Sequence, residues 1–125
     1  MSLNSERNTP YRKGELRTFA AGGTIYAGGL VALDSNGKAV AAAATSGAIV
    51  VGVAQNTVSS GNKVDVKRGV FPFEVASGAS ITLADVNKKT YVVDDETVTP
   101  VSSGAAVEAG TVFDVDGEGV WVEVK

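Results

Sequence analysis

The segment Asp114-Val115-Asp116-Gly117-Glu118-Gly119 places carboxylates at the first, third and fifth positions of a loop and glycine at the sixth, which is how a calcium-binding loop opens. Such a loop needs a bidentate glutamate at its twelfth position, where this chain has Lys125, and it needs helices on either side, where this chain has alternating apolar residues. A solvated hairpin turn fits those residues better. Asp94-Asp95-Glu96 offers the adjacent carboxylates of acid–base chemistry or of a hard-cation site, yet neighbouring carboxylates on a turn point apart into water. The serines at 46, 59, 60, 102 and 103 lack a G-x-S-x-G frame, and the chain contains no histidine to activate one. Gly22-Gly23 and Gly28-Gly29 belong to neither a dinucleotide fingerprint nor a phosphate loop. With cysteine absent as well, thiol chemistry and soft-metal ligation are missing. The residues therefore point to a non-enzyme, with no catalytic residue, metal site or cofactor assigned.

What the elements position is a scaffold. Leu30-Val31-Ala32-Leu33 leads through Asp34-Ser35-Asn36-Gly37 into Lys38-Ala39-Val40-Ala41, apolar runs on either side of Asn-Gly, a strong hairpin signal. Ala48-Ile49-Val50-Val51-Gly52-Val53-Ala54 predicts a strand buried on both faces or at an interface, with Gly52 marking a bulge or a close backbone approach. Val64 and Val66 alternate with Asp65 and Lys67, and Gly69-Val70-Phe71-Pro72-Phe73-Glu74-Val75 continues extended, with Pro72 expected at an edge or bend. Thr82-Leu83-Ala84-Asp85 has capping-box spacing for one helical turn, which Asn87 can end in a left-handed conformation. Tyr91-Val92-Val93 and Thr97-Val98-Thr99 form a second hairpin around the acidic triplet. Val120, Val122 and Val124 alternate with Trp121 and Glu123 in a half-buried closing strand, in which Trp121 is expected as a packing anchor first and an interface anchor second. Tyr11, Phe19, Tyr26 and Tyr91 are expected in the core or at an interface.

At 125 residues the chain is one domain by length, and it must hold itself together without disulfides. No apolar stretch is long enough to span a bilayer, and the first residues lack a secretion-signal pattern, so a soluble protein with no membrane partner is expected. Charge is uneven along it. Residues 1–17 carry four cations (Arg7, Arg12, Lys13, Arg17) against Glu6 and Glu15, a net of +2, whereas residues 18–125 carry seven cations against twelve carboxylates, a net of −5. A basic arm, residues 1–17, thus precedes an acidic β-rich domain, residues 18–125. An arm of this kind suits a partner's acidic surface or nucleic-acid phosphates, with a merely solvated terminus as the other reading, while the acidic body, with no aromatic-plus-basic stripe, argues against nucleic-acid binding there, and no nucleic-acid partner is expected.

Arg17-Thr18-Phe19, Gly23-Thr24-Ile25-Tyr26-Ala27-Gly28-Gly29-Leu30-Val31, Val51-Gly52-Val53-Ala54, Val66-Lys67-Arg68-Gly69-Val70-Phe71, Tyr91-Val92-Val93-Asp94-Asp95 and Gly119-Val120-Trp121-Val122-Glu123 follow one another in an order and spacing that resembles the capsid cement, or head decoration, proteins of tailed bacteriophages and prophages. The resemblance runs over residues 17–124, with Asn87 where relatives often carry glycine. It implies an all-β fold, a small β-barrel or β-tulip-like body with an extended N-terminal arm. It also implies a homotrimer on the outer capsid surface of the virion, made in the bacterial host cytoplasm, that bridges major capsid protein subunits and stabilises the expanded shell. On this reading the arm makes the capsid contact through Tyr11, Arg12, Lys13 and Arg17. A host-surface or glycan-binding display module is the alternative, expected to group exposed aromatics on one loop face. A non-catalytic β-clip-like accessory domain of an enzyme is another, expected to carry a pocket with convergent polar groups.

Overall fold

The computed structural model describes residues 16–43, 48–100, 107–117 and 119–124. Among the described residues the protein is all-β, with one short 3-10 turn, and its strands divide into a closed barrel and an additional five-stranded sheet. The sheet contains β1 (Leu16–Ala20), β2 (Leu30–Leu33), β3 (Ala39–Ala41), β4 (Ile49–Ala54) and β5 (Lys63–Lys67), in the order β1-β5-β4-β2-β3 with every neighbour antiparallel. A bridge between Ala21 and Ala39 joins the two edges beyond the end of β1, so the sheet curls almost into a second barrel. The closed barrel contains β6 (Gly69–Val75), β7 (Lys89–Val92), β8 (Thr97–Thr99), β9 (Glu108–Asp116) and β10 (Gly119–Val124), in the circular order β10-β6-β8-β7-β9. Its β6–β8 pair is parallel, Glu74 facing Thr97 and Val75 facing Val98.

Local chemistry accounts for most of the connections. In the β2–β3 hairpin the Asp34 amide donates to the Lys38 carbonyl, and the Asp34 carboxylate accepts from the amides of Asn36 (2.9 Å) and Lys38 (3.0 Å). Gly37 supplies the left-handed residue at φ +78°, so the loop is the three-residue kind that ends on glycine. Thr82 caps the 3-10 turn Leu83–Asp85 in a complete capping box, and Asn87 follows at φ +72°. Pro72 lies opposite Trp121 of β10. The amides of Glu74 and Ala76 donate toward the β8 side of β6, and by alternation the nitrogen of Pro72 faces that same side, beyond the two-residue β8 ladder. The proline thus occupies the part of β6 where no donor is required.

Two cores result, and β2 belongs to both. Val31 packs with Ala21, Ile25, Ala39, Val51, Val64 and Val66 inside the curled sheet. Leu30 and Ala32 face the other way and join Phe73, Val98, Val112, Val120, Val122 and Val124 of the barrel. The β2–β4 register slips by one residue where Val31 faces Gly52 and Ala32 faces Val50. That bulge inverts the alternation, so Val51 enters the sheet core while Val53, two residues on, enters the barrel core.

Candidate docking surface

Beginning with the residues that resembled chemistry, the carboxylates of the closing turn serve the hairpin. Asp116 accepts a hydrogen bond from the Trp121 indole (2.9 Å), and Asp114 accepts from the amide of Val115 (2.8 Å). Asp94 accepts from the Glu96 amide (2.9 Å), closing the turn between β7 and β8. Ser59 accepts from the Asn62 side chain (3.0 Å). Among the described residues no group of three or more His, Cys, Asp or Glu is placed to hold a metal ion, and no helix is long and apolar enough to cross a membrane.

Of the four residues assigned to partner contact, Tyr11, Arg12 and Lys13 lie outside the described residues, and Arg17 lies within β1. The strand begins at Leu16, so the sheet takes in the last two residues of the segment assigned to the arm: Leu16 pairs with Lys67 and Arg17 with Val66. The Arg17 guanidinium turns back onto the fold. Its Nη2 donates to the Val51 carbonyl (3.2 Å), and its carbon lies 5.3 Å from the centre of the Phe19 ring, within cation–π range. Its Nε is buried without a hydrogen-bond partner. Arg17 therefore fastens β1 across to β4 at the point where the basic segment enters the body.

That fastening exists because β5 leaves β4 early. β5 pairs with β4 only at Val53 and Ala54, so residues 49–51 have no strand on that side among the described residues. Ile49 stands 68% exposed there, where the apolar run predicted a strand buried on both faces or at an interface. Beside it lies a groove of about 340 Å³, bounded by residues 48–50 on one wall, residues 108–111 of β9 on the other, and Glu123 of β10. Its floor is close-packed. A side chain at Gly110 would collide with the Glu123 carbonyl, and Thr90 beneath is fully buried, its hydroxyl donating to the Gly110 carbonyl (3.3 Å).

Other large apolar side chains reach the surface separately. Tyr26 is 64% exposed on the loop before β2, not in the core, whereas Phe19 and Tyr91 are half-buried. Phe113 is 59% exposed because the β9–β10 register slips between Trp121 and Val122, which leaves it as the extra residue. Trp121 also lies on the outer face of the barrel, half-buried over Asp116, while Val120, Val122 and Val124 fill the interior. The sequence carried no signal for the Ile49 groove beyond the short reach of β5, which only register discloses. No protein-family model and no curated protein matches this chain.

Proposed function

We propose that the chain is a phage head decoration protein, which binds the outside of the expanded capsid, bridges major capsid subunits as a homotrimer and stabilises the shell. The observation that carries this reading is the join between arm and body. The basic segment enters the fold as β1, an edge strand that Arg17 ties to β4, so a load on the arm is passed directly into a sheet whose core is continuous with β2. A strand edge next to a cationic segment suits pairing with an extended segment of a partner. Binding only the expanded lattice stabilises it by mass action, and three arms on one trimer gain further through effective concentration. Because the Arg17 head group is engaged within the fold, the capsid contact falls to Tyr11, Arg12 and Lys13.

The test is cosedimentation with expanded heads, using the full chain and a chain lacking residues 1–13, which leaves β1 intact. The full chain, trimeric by light scattering, pellets with expanded heads and the shortened one stays in the supernatant. A full chain that ignores expanded heads, or a shortened one that binds them equally well, defeats the reading. The display alternative gains little, since Tyr26 is on a loop and Phe113 on β9. The accessory-domain alternative would need a pocket with convergent polar groups, and the groove beside Ile49 sets Glu108, Thr111 and Glu123 against an apolar wall at residues 48–50.

A further inference from the structure

We propose that Asn36 is a site of spontaneous modification, at which the Gly37 backbone nitrogen cyclises onto the Asn36 carboxamide and converts it to isoaspartate and aspartate, with water as the co-reactant. Asn36-Gly37 is the only Asn-Gly pair in the sequence, and both residues are exposed in the β2–β3 loop. The reaction needs a free carboxamide with an unhindered nitrogen beside it. The Asn36 backbone amide donates to Asp34, but its side chain has no hydrogen-bond partner among the described residues. Gly37 has nothing within 4 Å of where a side chain would begin. The other described asparagines lack one condition or both. Asn56 accepts from the Asp65 amide (2.9 Å) and precedes Thr57, while Asn62 donates to Ser59 (3.0 Å) and precedes Lys63. Asn87 precedes Lys88, whose side chain crowds the attack.

The Gly37 nitrogen gives its proton to solvent and bonds to Cγ of Asn36, the Cγ–Nδ2 bond breaks, and ammonia leaves with a proton taken from water. Water then opens the cyclic imide. Attack at Cγ gives aspartate, and attack at the Asn36 backbone carbonyl carbon gives isoaspartate, so the net change consumes water, releases ammonia and involves no oxidation. Asp34 gates the first step. In the closed loop the Gly37 amide donates to the Asp34 carbonyl (3.0 Å). The Asp34 carboxylate, which holds the amides of Asn36 and Lys38, sets a negative charge near a nitrogen that must itself become negative. Cyclisation therefore runs through the opened loop, and its rate follows the open population. Opening is local, because the loop leads into β3, three residues long and last in the sheet order. Isoaspartate adds a methylene to the backbone of a loop closed by the bond from the Asp34 amide to the Lys38 carbonyl (3.0 Å), and either product adds a carboxylate near that of Asp34. Both changes loosen the hairpin. The protein thus carries a slow clock at the edge of its sheet, whatever partner it binds.

Ageing the full-length protein in neutral buffer, followed by peptide mass mapping and enzymatic methylation of isoaspartate, tests this. Asn36 is expected to convert about tenfold faster than Asn56, Asn62 or Asn87, since glycine alone sets no Cβ against the attack. Isoaspartate is expected among its products. Asp34→Ala is expected to quicken conversion at Asn36 about fivefold, the equivalent of about 1 kcal/mol of loop closure. Asn36→Gln, on an exposed side chain, is expected to silence the site, because the longer arm forms the ring poorly. In the more acidic fraction that ion exchange separates from aged protein, amide exchange at Lys38 is expected to be faster than in fresh protein. Conversion at Asn36 no faster than at the other three, or aspartate without isoaspartate, overturns the proposal. A rate unchanged by Asp34→Ala overturns the gate, and unchanged exchange at Lys38 in the acidic fraction overturns the loosening.

Discussion

Gly52 carries the most demanding backbone in the sheet. At φ +149°, a Cβ there would stand 2.6 Å from both the Lys67 carbonyl oxygen and a methyl of Val66. Both obstacles belong to β5, whose pairing with β4 and β1 leaves no room to retreat. Gly52→Ala is therefore expected to cost about 3 kcal/mol through backbone strain and overpacking together, lowering the thermal midpoint by roughly 10 °C. Gly23→Ala, at an ordinary φ with nothing within 4 Å of the added carbon, serves as the neutral control. If the two variants melt together, the bulge is more forgiving than its geometry indicates. Arg17 allows a second test at this scale. Arg17→Met keeps an unbranched stem over Phe19 but removes the donor to Val51 and the cation–π contact, a loss of about 1 kcal/mol by chemical denaturation.

Among the elements, the β2–β3 hairpin depends on one carboxylate. Asp34→Ala strips the acceptor from two loop amides and is expected to cost about 1 kcal/mol, with amide exchange quickening at Asn36 and Lys38 before the rest of the sheet. Uniform quickening would mean that the loop opens only with the whole fold. This hairpin, the capped turn at Thr82 and the left-handed Asn87 were legible in the sequence because each is decided within a few residues by side chains bonding nearby backbone. The parallel contact of β6 with β8 was not, since its partners lie more than twenty residues apart, and the closed barrel was expected from the family resemblance and not from any local pattern. Bulges defeat the sequence in another way. An inserted residue leaves composition unchanged but inverts the alternation, which is why Val51 and Val53 serve different cores and why Phe113 faces water. The candidate groove was hidden for a different reason, as Ile49 lies where β5 has already left β4 and nothing in its own sequence neighbours marks that point.

For the molecule as a whole, the shared strand β2 decides how the two cores respond to damage. Leu30 and Ala32 belong to the barrel core and Val31 to the sheet core, so neither core can come apart without disturbing a strand of the other. The chain's single tryptophan, Trp121, is in the barrel and reports on that half alone. Val66, about 1% exposed, lies in the sheet core and is not among the residues packed around the barrel core. Val66→Ala deletes buried methyl groups from the sheet core and is expected to cost about 2 kcal/mol. If the halves unfold together, the transition followed by Trp121 fluorescence moves to lower denaturant by the same amount as the transition followed by far-ultraviolet dichroism, with an unchanged slope. A fluorescence transition that stays in place while the dichroism transition shifts or splits would show two independent units and break the mechanical argument for the arm. A load on β1 reaches the barrel through β5, which continues by way of Arg68 into β6, and through β2 and β4, which serve both cores, so coincidence of the two transitions is the physical condition under which both halves bear it.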